Sequence, residues 1–149
     1  AFSMDFSRPN VDYADLLRLS QNATKPAIAR VGGVCMAGGM GLLCMTDMAV
    51  AADGVIFGLP EVKVGVFPMQ VLSLLQSIAP PRLVNEWSLT GAPTAIRRGK
   101  YAMRAIASMS FDESIAYTES QIALLAMTED AKEGLKAFGE KRKPTWTGR

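Results

Sequence analysis

The first half of the chain switches between helical and extended spacing of its apolar residues. Apolar positions recur at helical intervals over 12–20, which predicts a short amphipathic helix, and the apolar run 27–31 predicts a buried strand. The glycine-rich segment 37–41 then leads into a buried helix whose first turns we place at 42–45 and whose end we place at Asp47. Further β-prone segments are separated by turns that contain Gly or Pro: 48–52, 55–57 and 62–66.

Helical spacing dominates the second half. Ser110 and Glu113 form the S-x-x-E pattern of a capping box, which predicts the start of a helix that runs towards Met127. Thr128 precedes two acidic residues and is expected to start another helix, which ends near Lys141. The remaining predicted helices cover 69–78, 82–89 and 94–107.

Composition is that of an ordinary globular protein with the length of one domain. The chain has 149 residues, of which 49% are hydrophobic and 20% charged, and its formal charge is +2. No apolar run reaches a membrane span, and the first residues lack the pattern of a secretory signal, so we expect no membrane association and a cytoplasmic location. Basic residues form no stripe interleaved with aromatics, so nucleic acid is not an expected partner. Cys35 and Cys44 lie in apolar contexts and are expected to be free thiols.

The absence of histidine restricts the possible chemistry. With 0 His, the chain can form neither a Ser-His-Asp or Cys-His nucleophile system nor a His-ligated metal site. Its 2 Cys cannot complete a zinc site alone, so no metal is expected. Any proton transfer must therefore use a carboxylate, Lys, Tyr or water.

The glycine cluster between the first strand and the following helix is a candidate oxyanion site. The first turn of a helix has unpaired N–H groups, and the small residues Ala37, Gly38 and Gly39 would let a substrate carbonyl approach them. The alternative is a glycine turn needed only for close packing. Dinucleotide binding is weakly supported, because Cys44 stands where the third Gly of G-x-G-x-x-G belongs, and neither a P-loop nor a G-x-S-x-G elbow is present.

Glu61 is the candidate acid/base residue. It follows an apolar segment that ends in Leu59-Pro60, where desolvation would raise its pKa towards neutrality and suit it to proton transfer. The alternative is a surface glutamate in a loop, paired with Lys63. Asp47 is ambiguous in the same way, and its expected role is to cap a turn or a helix end.

Several of these segments, in this order, resemble the signature core of the enoyl-CoA hydratase/isomerase (crotonase) family. The end of the chain also resembles the C-terminal helix of that family, so the similarity covers most of the sequence. The segments that carry the resemblance are 25–29, 31–33, 37–41, Asp47, 51–52, 57–61, 65–68 and 133–144.

The resemblance implies an α/β fold: a crotonase-like ββα spiral with a helical C-terminal trimerisation region. On that pattern, residues 1–93 form the spiral core, incomplete at its start, and residues 94–149 form the helical region. It further implies a coenzyme A thioester as substrate, no cofactor beyond the coenzyme A of that substrate, and a homotrimer or hexamer. The expected reactions are hydration or isomerisation of an enoyl-CoA through a thioester enolate.

The resemblance also assigns roles to individual residues. Glu61 matches the second catalytic glutamate of the family, and Gly38 matches the second oxyanion-hole position, while Met4 is matched to the first. The first catalytic glutamate falls at Gly41, which favours an isomerase or, alternatively, a member that binds acyl-CoA or assembles with active homologues without turnover. Residues matched to substrate binding are Ala37, Gly41, Pro60 and Pro68, and those matched to CoA phosphates are Lys141 and Lys143, for which the alternative is a solvated basic helix end.

Two segments depart from the family pattern. The motif A-F-x-A-G-x-D lacks its two small residues here, since Ala1-Phe2-Ser3 runs directly into Met4-Asp5. Pro93 and Thr94 are adjacent, although several dozen residues normally separate the segments that they represent. We therefore expect the natural chain to be longer.

Overall fold

The computed structural model describes the backbone of residues 11–149 and the side chains from residue 13 onwards. Helix α1, Val11–Gln21, confirms the first predicted helix. It buries Ala14 and Leu17 completely and exposes Leu16 and Leu19. One face of α1 therefore packs on the core, as its amphipathic spacing predicted.

Four short strands form two parallel pairs. Strand β1, Ile28–Val31, pairs with β3, Met48–Ala51, and strand β2, Cys35–Met36, pairs with β4, Phe57–Gly58. Helix α2, Gly38–Cys44, connects β2 to β3. Parallel neighbours require a crossover connection, and the chain crosses from β1 to its partner β3 through β2 and α2.

Three predictions for this half are wrong. Helix α2 starts at Gly38, four residues before the predicted first turns, and ends at Cys44 rather than at Asp47. The Asp47 carboxylate instead accepts a hydrogen bond from the backbone N–H of Ala27, at 2.7 Å, which joins the start of β1 to the start of β3. Residues 60–64 form a 3-10 helix rather than a strand, because Pro60 starts the turn and left-handed Gly65 ends it. Strand β1 is not buried within the described residues, since Ile28 is 63% exposed.

Five helices complete the described chain and confirm the predicted helical half to within about one residue at each start. They are α3 (Met69–Ile78), α4 (Pro81–Ser88), α5 (Pro93–Ile106), α6 (Phe111–Ala126) and α7 (Glu129–Gly139). The capping box predicted at Ser110 is present, and Thr128 caps α7 by accepting a hydrogen bond from the N–H of Ala131. None of the described helices is both long and apolar enough to cross a membrane.

Helix α3 lies at the centre of the core. It packs against α2, α5 and α6, and its residues from Met69 to Leu72 are all buried. The Phe67 ring just before it is fully buried and occupies the space that a side chain at Gly99 of α5 would need. Burial of an aromatic ring of this kind contributes roughly 2–3 kcal/mol, so this junction holds the segment before α3 firmly.

Candidate active site

The β2–β4 pair brings the glycine cluster next to the segment that carries Glu61. The Cys35 N–H donates to the Ile56 carbonyl at 2.9 Å, and the Ala37 N–H donates to the Gly58 carbonyl at 3.0 Å. Gly38 follows the end of β2, and Glu61 follows the end of β4. Two residues that are distant in sequence thus lie at adjacent strand ends.

The turn into α2 holds an unusual backbone conformation. Ala37 has φ 52° and ψ −126°, a region that residues with a Cβ rarely adopt, and such strain typically costs about 1–3 kcal/mol. Gly38 follows it, is exposed, and starts α2, where N–H groups lack intrahelical acceptors. A cleft of about 430 Å³ opens beside Gly39 and the β1–β2 connection. Because Gly38 is exposed, a substrate carbonyl could reach its backbone N–H.

Glu61 is a buried carboxylate with an unused oxygen. Its side chain is only 8% exposed, and its Oε2 atom has no hydrogen-bond partner among the described residues. Burial raises the pKa of Glu61 to about 7, since desolvation penalises the charged form and a backbone hydrogen bond offsets only part of that penalty. The alternative of a surface glutamate paired with Lys63 is therefore wrong.

Three glycines hold the 3-10 segment against the helical region. A side chain at Gly91 would overlap the Val62 carbonyl, and one at Gly134 of α7 would overlap the Val64 carbonyl. Gly65, with φ 80°, packs on the Asp130 backbone in the same way. The Ala92 N–H also donates to the Val62 carbonyl at 2.8 Å. The backbone immediately after Glu61 is therefore fixed by direct contact.

Tyr13 of α1 is a site residue that the sequence analysis did not single out. Its hydroxyl donates a hydrogen bond to the Gly38 carbonyl at 2.9 Å. Burial, with smaller contributions from the Cys44 thiol and the Glu61 carboxylate, raises the pKa of Tyr13 to about 12. The phenol therefore stays neutral at physiological pH, close to both candidate residues. Only its apolar helical spacing was visible in the sequence.

Gly41 faces this hydroxyl. A Cβ atom at Gly41 would overlap the Tyr13 hydroxyl oxygen and would lie 3.1 Å from Cγ2 of Val71 on α3. Position 41 thus has no room for a side chain, and a phenol oxygen occupies that space.

The other predicted site residues are spread around this centre. Pro60 begins the 3-10 segment, and Pro68 is buried immediately before α3. Lys141 and Lys143 are exposed on the segment after α7, on either side of Arg142, which pairs with Glu133 and Glu140. Met4 lies outside the described residues. The binding roles of these residues stay predictions.

The two thiols and the carboxylates form no metal site in the described part of the chain. Cys35 and Cys44 are both free, and burial raises the pKa of the Cys44 thiol to about 11. No group of three or more Cys, Asp or Glu side chains between residues 13 and 149 is arranged to hold a metal ion. A cofactor-free reaction stays a prediction.

The stability of a Glu61→Gln variant tests the burial of this carboxylate. Since the pKa is about 7 in the folded state and near 4.5 when unfolded, the native protein binds the extra proton between these values and loses stability as pH rises through them. Gln carries no charge at any pH. We expect the stability of the variant relative to wild type to increase by about 3 kcal/mol between pH 4 and pH 8 in urea unfolding. A difference that does not change with pH would contradict the buried, unpaired carboxylate.

Sequence comparison decides the family. The profile of the enoyl-CoA hydratase/isomerase family matches residues 5–97, which include the glycine cluster, Tyr13 and Glu61. The chain belongs to this family. The matched range ends in α5, so it includes α1, α2, the two strand pairs and the 3-10 segment, whereas α7 lies beyond it.

Individual crotonase relatives agree with this membership. The chain is 33% identical over 170 aligned positions to a carnitinyl-CoA dehydratase of Escherichia coli O157:H7, which covers 86% of this chain and 65% of that protein. The relative of Escherichia coli strain K12 is 32% identical with the same coverage. The chain therefore spans about 65% of the length of these curated relatives. The alignment has 170 positions, more than the 149 residues of this chain. Within the aligned region the relative therefore contains residues that this chain lacks.

Solved structures confirm the crotonase fold. An enoyl-CoA hydratase of Mycobacterium avium superposes with a TM-score of 0.68 at 25% identity, covering 91% of this chain and 68% of that chain. A methylmalonyl CoA decarboxylase complexed with 2S-carboxypropyl CoA superposes with a TM-score of 0.69 at 19% identity, covering 99% and 72%. The predicted α/β class with a helical C-terminal region is thus confirmed, whereas the division at residue 93 stays a prediction.

Proposed function

We propose that this protein is an acyl-CoA-processing enzyme of the enoyl-CoA hydratase/isomerase type, in which Glu61 transfers protons to and from a thioester enolate. The observation that carries the proposal is the Glu61 carboxylate, which is buried, has an unused oxygen and is fixed beside the Gly38 turn. Structural carboxylates are normally paired when buried, so an unpaired one in a fixed position is typical of an acid/base group.

The pKa of Glu61 suits this chemistry. A group with a pKa of about 7 is substantially ionised at neutral pH and still releases its proton readily, which is the balance that general acid/base catalysis needs. Removal of a proton beside a thioester carbonyl places negative charge on the carbonyl oxygen. By resemblance to the family, the Gly38 N–H receives that charge, and its exposed position at the start of α2 supports this role.

The remaining substrate contacts are proposed from the family pattern. Ala37, Gly41, Pro60 and Pro68 would line the acyl group, and Lys141 with Lys143 would meet the phosphates of coenzyme A. No metal or redox cofactor enters the proposed reaction.

We also propose a homotrimer or hexamer. Large apolar side chains remain exposed on the helical region, which would suit contacts between subunits. They include Leu124, Met127 and Phe138, the last of which is 72% exposed.

One observation favours a second candidate. By resemblance to the family, Gly41 stands where the first catalytic glutamate belongs, so the two-carboxylate site of a standard hydratase would be incomplete. A site with Glu61 as its single catalytic carboxylate favours isomerisation, or binding of acyl-CoA without turnover. The relatives, in contrast, are named carnitinyl-CoA dehydratase. A dehydratase removes a hydroxyl group as well as a carbon-bound proton.

Three assays on the protein separate these candidates. With trans-3-enoyl-CoA, an isomerase raises the absorbance of the conjugated thioester. With trans-2-enoyl-CoA, a hydratase lowers it. In D₂O, a saturated acyl-CoA gains deuterium at C2 if Glu61 forms the enolate. We expect exchange at C2 together with at least one absorbance change, whereas tight acyl-CoA binding with none of these reactions would leave only the binding role.

A further inference from the structure

We propose that the Tyr13 hydroxyl is the second proton-transfer group of this site, donating a proton to the oxygen that leaves C3 while Glu61 removes the proton from C2. This inference rests on the proposed function. It assigns to Tyr13 a reaction that Glu61 alone cannot complete, the reversible elimination of water from a 3-hydroxyacyl-CoA.

The position of the hydroxyl is the first argument. It lies against α2 in the space that a side chain at Gly41 would fill, and it donates to the Gly38 carbonyl at 2.9 Å. A side chain at Gly38 itself would have the Tyr13 oxygen as its nearest contact, at 3.9 Å. The hydroxyl is thus beside the proposed enolate site.

The absence of a side chain at Gly41 leaves the space that the Tyr13 hydroxyl occupies. Because any Cβ there would overlap the phenol oxygen, Gly41 and Tyr13 are matched to each other. A phenylalanine would fill most of the same space, so packing alone does not require the hydroxyl. With Gly41 on α2, this space holds no acidic side chain and is filled instead by the neutral hydroxyl donor of Tyr13 from α1.

The ionisation states of Glu61 and Tyr13 at neutral pH suit one to act as the base and the other as the acid. Glu61, with a pKa of about 7, supplies a base at neutral pH, and Tyr13, with a pKa of about 12, stays protonated. Water has a pKa of about 15.7, so a departing hydroxide is basic enough to take the phenol proton. Rotation about the C–O bond of Tyr13 redirects its hydrogen from the Gly38 carbonyl without any movement of the ring.

The elimination step balances with these two groups alone. The Glu61 carboxylate takes the proton from C2, and the electron pair of that C–H bond passes through the enolate to form the C2–C3 double bond. The C3–O bond breaks with its electron pair on oxygen, and this oxygen takes the Tyr13 proton to become water. The products are the 2-enoyl-CoA and water, and the site is reset when Glu61 loses its proton and the Tyr13 phenolate gains one through the released water. Hydration is the reverse sequence.

Replacing Tyr13 with Phe separates the two proton transfers. We expect hydration of trans-2-enoyl-CoA by Tyr13→Phe to fall about 100-fold, because general-acid assistance to the oxygen is lost. Exchange of deuterium into C2 of a saturated acyl-CoA needs only Glu61, and we expect it to stay within about threefold of wild type. Tyr117→Phe, a change at another half-buried tyrosine, is the matched control and is expected to alter neither rate.

The outcomes distinguish this inference from the proposed function. Equal losses of hydration and exchange in Tyr13→Phe would mean that the hydroxyl only supports the structure, and an unchanged hydration rate would show that it takes no part. Wild-type exchange or isomerisation without hydration of any enoyl-CoA would overturn the Tyr13 role but leave Glu61 chemistry standing. Acyl-CoA binding with neither exchange nor hydration would instead overturn the proposed function.

A stability measurement checks the underlying geometry without any substrate. In wild type, Gly41→Ala forces the Tyr13 hydroxyl to move, whereas in Tyr13→Phe the nearest ring carbon is 3.3 Å from the new Cβ. We expect Gly41→Ala to lower the urea midpoint in wild type and to lower it less in Tyr13→Phe. Equal shifts in the two backgrounds would show that the hydroxyl lies elsewhere.

Discussion

Glu61→Gln is expected to lower the rate of proton exchange and of any enoyl-CoA conversion about 10³-fold. The amide keeps the size of the side chain but cannot accept a proton, and general acid/base groups typically contribute 10²–10⁴-fold. The measurement is kcat for deuterium exchange at C2, with Glu86→Gln on the exposed face of α4 as the control.

The pH profile adds a second criterion for the same variant. In wild type, the base form of Glu61 accumulates as pH rises through about 7, so the exchange rate should increase across that value and then level off. The residual rate of Glu61→Gln should lack this step. A variant that keeps most of the activity, or that keeps the step near pH 7, would mean that another group is the base.

Gly134→Ala is expected to destabilise the protein by about 2–3 kcal/mol and to lower Tm by roughly 5–10 °C. In the middle of a helix this substitution is normally stabilising by about 1 kcal/mol. Here the added methyl group would overlap the Val64 carbonyl and approach the Gly65 nitrogen to 2.9 Å, so the backbone of the 3-10 segment has to move. Overpacking of this kind typically costs about 1–3 kcal/mol.

Gly139→Ala provides a matched control in the same helix. Gly139 is the last residue of α7, and a Cβ there would meet nothing within 4 Å. We expect this variant to be neutral or slightly more stable than wild type in thermal unfolding. If both variants behaved alike, the contact between α7 and the 3-10 segment would not exist. Since that contact fixes Glu61, Gly134→Ala should also reduce activity, whereas Gly139→Ala should not.

Local patterns were sufficient for most of the helical half. Helix α3 was predicted at its observed bounds, and the Ser110 capping box is formed as expected, because both depend on residues that are close in sequence. The segment 62–66 was wrongly predicted as extended, although its β-branched residues favour that structure. Pro60 and left-handed Gly65 bound the 3-10 turn, and Gly91 and Gly134, which lie far away in the chain, pack on its backbone.

The candidate site was predicted in part. The sequence left two alternatives open for Glu61, and its burial and raised pKa favour the acid/base group over the surface glutamate. Tyr13 was missed because a tyrosine on the apolar face of a helix looks like a core residue. Its relation to Gly41 arises only when α1 packs beside α2, and the spacing between positions 13 and 41 carries no local signal for that contact.

The contact between α7 and the 3-10 segment also affects when this site can form during biosynthesis. The ribosome adds Gly134 about seventy residues after Glu61, so the nascent chain carries the acid/base residue long before it contains the helix that supports it. Until α7 emerges, the segment around Glu61 lacks the backbone contacts that hold it. We therefore expect acyl-CoA chemistry to appear only after α7 has been synthesised and has docked, and a chain stalled between these points should be inactive and susceptible to proteases near residue 61.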